Sequence, residues 1–201
     1  MPFNNSISKY DWQYLFTGFF LISVFIFTDL IGVIDKEYFY FVPRLISDQP
    51  YRIYTSILIH ADLNHLLSNL GGIIITRYFL MRLGIKSRFF YLKFILICSF
   101  LNFFIIWVYE KILSYFFDTY PNYAALGFSG IIYALFGFLL LTSFYGKKYF
   151  LGKEIGFKSN NEVQKMLRTI CLIGLIFSFL PGVSLLGHLS GFIAGCFLFL
   201  M

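Results

Sequence analysis

The chain has 201 residues, of which 59% are hydrophobic and 22% aromatic but only 13% charged. This composition excludes an ordinary soluble domain and is typical of a membrane protein with several apolar helices. The net charge of +6 does not indicate a nucleic-acid partner, because the basic residues lie in the connections between apolar runs.

Six apolar runs follow one another and predict an all-α membrane protein with six transmembrane helices in a single domain, residues 1–201. We see no repeat, low-complexity tract or second domain. The first run lacks a cleavage site of small residues, so we expect it to remain in the protein. The six predicted spans are 14–34, 55–76, 92–114, 124–145, 168–185 and 187–201.

The distribution of charge predicts the orientation of these spans. Twelve of the 16 basic residues lie at the N-terminus or in the connections 77–93 and 147–168, and seven of the ten acids lie on the other side. Basic connections stay in the cytoplasm. We therefore expect a multi-pass protein with a cytoplasmic N-terminus, and the Phe-, Ile- and Lys-rich composition indicates a bacterial plasma (inner) membrane.

Polar residues gather at one depth of the predicted bundle, in the outer halves of the second, fourth and sixth spans. Ionisable groups at membrane depth are costly, and they usually face a protein interior or a water-filled cavity. All three histidines of the chain belong to this set, which predicts a functional site there. Its members are His60, His65, Asn69, Ser129 and His188.

Ser129 lies in Gly127-Phe128-Ser129-Gly130, near the start of the fourth span. Small neighbours leave a serine hydroxyl open to a carbonyl group, and a helix N-terminus favours a developing oxyanion. The alternative is that the glycines only allow close helix packing. We consider His188 as the base that takes the serine proton. Because no acid lies at the right depth in spans four and six to orient this histidine, a Ser–His dyad is favoured over a triad.

The second span supplies candidate oxyanion donors. His65 and Asn69 are separated by four residues and share one helix face, so both can act beside the Ser129 N–H. His60 is expected one turn further out, nearer the water. A zinc site built from the three histidines is the alternative chemistry, but the His-Glu-x-x-His pattern is missing and the only nearby acid is Asp62. We expect neither a metal nor an organic cofactor.

Stripes of small residues predict how spans four and six meet. Such stripes let two helix backbones approach closely, which would bring His188 to Ser129. Tyr133, one turn after Ser129, would either stack on the imidazole or pack in the core. The stripes are Gly127, Gly130, Ala134 and Gly137 in span four and Gly187, Gly191 and Gly195 in span six.

Taken together, these motifs resemble those of the rhomboid family of intramembrane serine proteases. Residues 127–130 match its GxSG motif, and residues 187–195 match its H-x-x-G-x-x-x-G span. The paired histidines and the asparagine of the second span also match. Tyr51-Arg52 is similar to the family's Trp-Arg pair in the first loop, with tyrosine in place of tryptophan. The resemblance covers about residues 14–201.

The resemblance implies a six-helix rhomboid-like bundle with Ser129 as the nucleophile and His188 as the general base and acid. His65, Asn69 and the Ser129 backbone N–H would form the oxyanion hole, and Tyr133 would stack on His188. Transmembrane segments of other proteins would be the substrates, cut near their outer ends. The other supporting residues would be His60, Gly127, Gly130 and Gly191.

Two further classes are alternatives to this serine endopeptidase. An inactive rhomboid-like protein that binds membrane clients is expected to lack the serine or the histidine, and both are present. A transporter or channel is expected to carry polar residues in the inner halves as well, where only Thr76 and Asn102 stand out. The expected partners are the lipid bilayer and transmembrane substrate proteins, with no nucleic acid.

Overall fold

The structure is a computed structural model that describes residues 11–83, 85, 89–117, 123–145, 148–150, 153–157 and 161–201. Part of the predicted charge asymmetry lies outside the described residues, so the predicted orientation stays a prediction. The charged residues concerned are Lys9, Lys86, Arg88, Asp118, Lys147 and Lys158.

The described part of the chain is mainly helical, with one short antiparallel strand pair that the sequence analysis did not predict. The strands β1 and β2 are antiparallel, with Lys148 opposite Ile155. A π-helical turn, Ile26–Leu30, continues the first helix. The elements are α1 (Trp12–Phe25), α2 (Arg52–Thr55), α3 (Leu63–Leu80), α4 (Phe90–Phe117), α5 (Ser129–Tyr145), β1 (Lys148–Phe150), β2 (Lys153–Ile155), α6 (Asn161–Phe177) and α7 (Leu185–Leu200).

The outward surface of the helices is apolar. Phe19 in α1 is 71% exposed and Phe116 in α4 is 70% exposed, whereas soluble monomers rarely expose large contiguous apolar patches. Trp12–Leu30 and Phe90–Phe117 are long and apolar enough to cross a membrane, and α5 and α7 are shorter apolar helices. These features fit an α-helical membrane protein.

Two helices near the predicted site begin later than the predicted spans. α3 begins at Leu63 rather than near residue 55, because the Asp62 side chain accepts a hydrogen bond from the His65 N–H at 2.8 Å and caps the helix. α5 begins at Ser129 rather than near residue 124, because Gly127 has a φ of 102° that no helix allows. The nucleophile candidate is therefore the first residue of its helix.

α6 lies earlier in the chain than its predicted span. It runs from Asn161 to Phe177 instead of 168–185. Pro181 and Gly182, whose φ is 81°, follow its end and turn the chain toward α7. Because the first turns of α6 are polar, the apolar run did not indicate where this helix begins.

The loop before α2 is anchored by Arg52, a buried side chain that is only 4% exposed. Its guanidinium donates to the backbone carbonyls of Glu37 and Tyr40 and to the Gln49 side chain. Phe41, which precedes Arg52 in this loop, exchanges two backbone hydrogen bonds of 2.9 Å with Ala125. Ala125 lies four residues before Ser129. The loop and the segment that leads into α5 are thus one structural unit.

α5 and α7 cross with their backbones in direct contact. A Cβ atom at Gly195 would lie 1.7 Å from the carbonyl oxygen of Ala134, and one at Gly137 would lie 2.2 Å from that of Phe192. Only glycine fits at such positions. The two stripes of small residues therefore pack against each other, which brings the starts of both helices together.

Candidate active site

The start of α7 is held against the segment before α5. Ser184 caps the helix by accepting a hydrogen bond from the Gly187 N–H at 3.1 Å. Its hydroxyl also lies 2.5 Å from the Tyr123 hydroxyl, and burial raises the pKa of that phenol, which stays neutral. Gly187 leaves room for this contact, since a Cβ there would lie 2.8 Å from the Ser184 hydroxyl. The contact between Ser184 and Tyr123 thus fixes the position of the first turn of α7, which carries His188.

His188 lies in the first turns of α7 and is 9% exposed. Its imidazole stacks on the ring of Tyr133, with centroids 3.9 Å apart and planes inclined by 14°. Tyr133 and Ser129 are four residues apart on α5 and share one face of that helix. The stacking thus positions the imidazole one helical turn from the half-buried Ser129.

The second ring nitrogen of this histidine has a partner that the sequence analysis missed. Ser178, which follows the last residue of α6 and is 1% exposed, places its hydroxyl 2.9 Å from Nδ1 of His188. Within the described residues, no hydrogen bond joins the Ser129 hydroxyl to His188. Such catalytic contacts often close only when substrate is bound. Nε2 is therefore the nitrogen that remains for Ser129.

Gly127 lies against the two candidate oxyanion donors of α3. A Cβ atom at this position would lie 2.5 Å from Nε2 of His65 and 3.7 Å from Nδ2 of Asn69. Nδ1 of His65 accepts from the Ala61 N–H at 3.3 Å, so the neutral imidazole carries its proton on Nε2. Both donor nitrogens thus lie beside the backbone that leads into Ser129, whose own N–H is free of the helix ladder.

His60 does not lie where the sequence analysis expected it. It precedes the α3 helix instead of extending it by a turn, and its side chain is fully buried at 0% exposure instead of being nearer the water. Its ring packs edge-on against His65 at a centroid distance of 5.1 Å. Neither ring nitrogen has a hydrogen-bond partner among the described residues. The structure thus places His60 behind His65 and away from the predicted water-facing position.

A polar junction beneath the site joins three helices. The Ser190 hydroxyl on α7 donates to Oδ1 of Asn102 on α4 at 2.5 Å. The amide nitrogen of Asn102 lies over Gly130 on α5, where a Cβ would approach it to 2.4 Å. Sequence analysis noted Asn102 only as a polar residue within an apolar run. Its partner is 88 positions away, and no periodicity connects the two.

The positions of the histidines and of Asp62 bear on the alternative of a zinc site. Asp62, the one acid near the histidines, is engaged as the cap of α3. Across the part of the chain that the structure describes, no three His, Cys, Asp or Glu side chains are grouped as metal ligands would be.

The helical fold and its apolar exterior define an α-helical membrane protein. The family model described as Rhomboid domain matches residues 47–201. This match covers most of the chain, and the chain belongs to the rhomboid family. The resemblance identified from the motifs is thereby confirmed, and it makes the chain a rhomboid-family intramembrane protease or pseudoprotease. A search among curated proteins gave no match.

Proposed function

We propose that this protein is an intramembrane serine endopeptidase with a Ser129–His188 dyad. The observation that carries the proposal is the stacking of His188 on Tyr133, at the end of α5 where Ser129 begins the helix. The backbone contact of α5 with α7 supports it, because a contact between two backbones leaves little freedom for the relative position of the two side chains.

The proposed reaction follows serine-protease logic. The Ser129 hydroxyl attacks the scissile carbonyl carbon while Nε2 of His188 takes its proton. The Ser129 N–H, with Nε2–H of His65 and the amide of Asn69, would stabilise the oxyanion that forms. His188 then gives the proton to the leaving amine, and a water activated by the same imidazole hydrolyses the acyl-enzyme. We propose no metal or organic cofactor for these steps.

The proposed substrates are transmembrane segments of other proteins. A peptide bond within a helix is hydrogen-bonded and shielded, so the substrate has to unwind locally before Ser129 can attack. The distribution of basic residues predicts that the start of α5 lies on the outer side of the membrane, so we propose cleavage near the outer ends of these segments. On the same charge distribution we propose a multi-pass protein with its N-terminus in the cytoplasm, and on the Phe-, Ile- and Lys-rich composition we propose a bacterial inner membrane.

The proposal is tested by cleavage of a fluorogenic transmembrane substrate by the full chain in liposomes. We expect Ser129→Ala and His188→Ala each to lose about 1,000-fold or more in kcat. Ser99→Ala is the matched control, because its buried hydroxyl bonds only to the Ile95 carbonyl of its own helix among the described residues. Substrate binding without cleavage by the parent would instead identify a client-binding protein and overturn the proposal.

A further inference from the structure

Ser178 lies at the meeting point of three helices that carry the proposed dyad and its surroundings. It follows the end of α6, and its hydroxyl contacts Tyr133 on α5 and His188 on α7, each at 2.9 Å. The residue is 1% exposed, so water does not compete for these contacts. No role for Ser178 follows from the motifs, since it is a single serine in an apolar run.

The Ser178 hydroxyl has one proton and three acceptors within hydrogen-bond distance: the Tyr133 hydroxyl oxygen, the Gly174 carbonyl oxygen and Nδ1 of His188. The Tyr133 hydroxyl donates to the Gly174 carbonyl oxygen, so the phenolic oxygen is left as an acceptor. The Ser178 hydroxyl donates to that oxygen at 2.9 Å or to the Gly174 carbonyl at 3.1 Å. With its proton on either of these acceptors, the Ser178 oxygen accepts from Nδ1–H of His188; with its proton on Nδ1 instead, the imidazole would carry its own proton on Nε2.

We infer that Ser178 is a positioning residue that holds His188 in the tautomer with its proton on Nδ1. The Nδ1–H of His188 then donates to Ser178, and Nε2 is left with a lone pair directed to other partners. A base for Ser129 needs that free lone pair. A buried serine thereby takes the place that an orienting carboxylate has in a triad. The inference rests on the proposed dyad for its consequence, but not for its geometry.

Nuclear magnetic resonance of the full chain labelled with nitrogen-15 histidine tests the geometry without any assay of activity. The chain has three histidines, and the spectrum of His188→Ala identifies the signals of His188. At alkaline pH, where the imidazole is neutral, we expect the Nδ1 signal of the parent to be that of a protonated nitrogen. A parent spectrum with the proton on Nε2 overturns the inference, even if no Ser178 variant folds.

Variants then test the consequence for catalysis. In Ser178→Ala we expect a mixture of tautomers and a kcat lowered about tenfold, with KM unchanged because no substrate contact is lost. Ser178→Thr keeps the hydroxyl and is expected to restore both readouts, and Ser99→Ala is expected to leave both as in the parent. An unchanged tautomer and kcat in Ser178→Ala contradict the inference.

The two measurements distinguish failure of the proposed protease function from failure of the Ser178 inference. If the folded parent cleaves no transmembrane substrate, the proposed protease activity is wrong. The spectrum still decides whether Ser178 sets the tautomer of His188. A parent that cleaves, with a Ser178→Ala variant of equal kcat and equal tautomer, removes only the role of Ser178.

Discussion

Gly191 of α7 packs directly on the backbone of Gly130 in α5. A Cβ atom at position 191 would lie 2.2 Å from the Gly130 carbonyl oxygen and 3.1 Å from its Cα. Because these are backbone atoms, no side-chain rotation can relieve the clash, and the helices would have to separate. The distance between Ser129 and His188 therefore depends on two residues without side chains.

We expect Gly191→Ala to lower kcat about 100-fold, because a displacement of about 1 Å at a reacting pair has that effect. The free energy of unfolding should fall by about 1–3 kcal/mol from overpacking. Cleavage rates and thermal unfolding in detergent measure both. Gly71→Ala is the matched control, since a Cβ there meets nothing within 4 Å; comparable losses in the two variants would contradict close crossing as the cause.

Gly127 tests the proposed oxyanion hole. Gly127→Ala should lower kcat about 100-fold, because its Cβ would displace the His65 imidazole, and loss of one donor of this kind has about that effect. The control is Gly182→Ala, which also has a positive φ, 81°, but has open space around the added methyl group. If Gly182→Ala were equally impaired, backbone strain rather than loss of a donor would explain the result.

Arg52 tests whether the first loop is anchored as the structure shows. Arg52→Ala removes the donor of the Glu37 and Tyr40 carbonyls and one of the two donors to the Gln49 side chain, which keeps the Tyr51 hydroxyl. We therefore expect a loss of about 2–3 kcal/mol in the free energy of unfolding. Faster proteolytic cutting within residues 35–51 should accompany it. Arg44→Ala, at an exposed position of the same loop, should change neither measurement, and equal proteolysis of both variants would refute the anchoring role.

The junction of Asn102 with Ser190 predicts an energetic coupling between α4 and α7. In a double-mutant cycle of Asn102→Ala and Ser190→Ala, the unfolding free energies should be non-additive by about 0.5–2 kcal/mol, the range for a buried hydrogen bond between membrane helices. Unfolding in mixed detergent provides the four values. Strict additivity would mean that the 2.5 Å contact adds no coupling.

The sequence was most informative where a physical constraint has a regular spacing. Glycines four residues apart predicted the contact of α5 with α7, because only small side chains permit it. The i to i+4 relation also placed Tyr133 on the face of Ser129. These are local patterns on single helices, so they can be read without knowledge of the rest of the fold.

Contacts between distant, irregular segments could not be read in this way. Ser178 reaches His188 only because Pro181 and Gly182 turn the chain between α6 and α7, and a lone serine carries no signal of such a turn. The late start of α3 was readable in principle, since Asp62 is a typical helix cap three residues before His65. Hydropathy alone did not indicate this start, because the residues before Asp62 are also mostly apolar.

The dyad itself is tested most directly by covalent labelling of the folded protein with a fluorophosphonate probe, followed by mass spectrometry of the labelled peptide. The probe reacts with a serine only when a base activates its hydroxyl. We predict one adduct, on Ser129, in the parent, and none in His188→Ala of equal thermal stability. Equal labelling of both proteins, or a folded parent whose Ser129 stays unlabelled, would contradict the account.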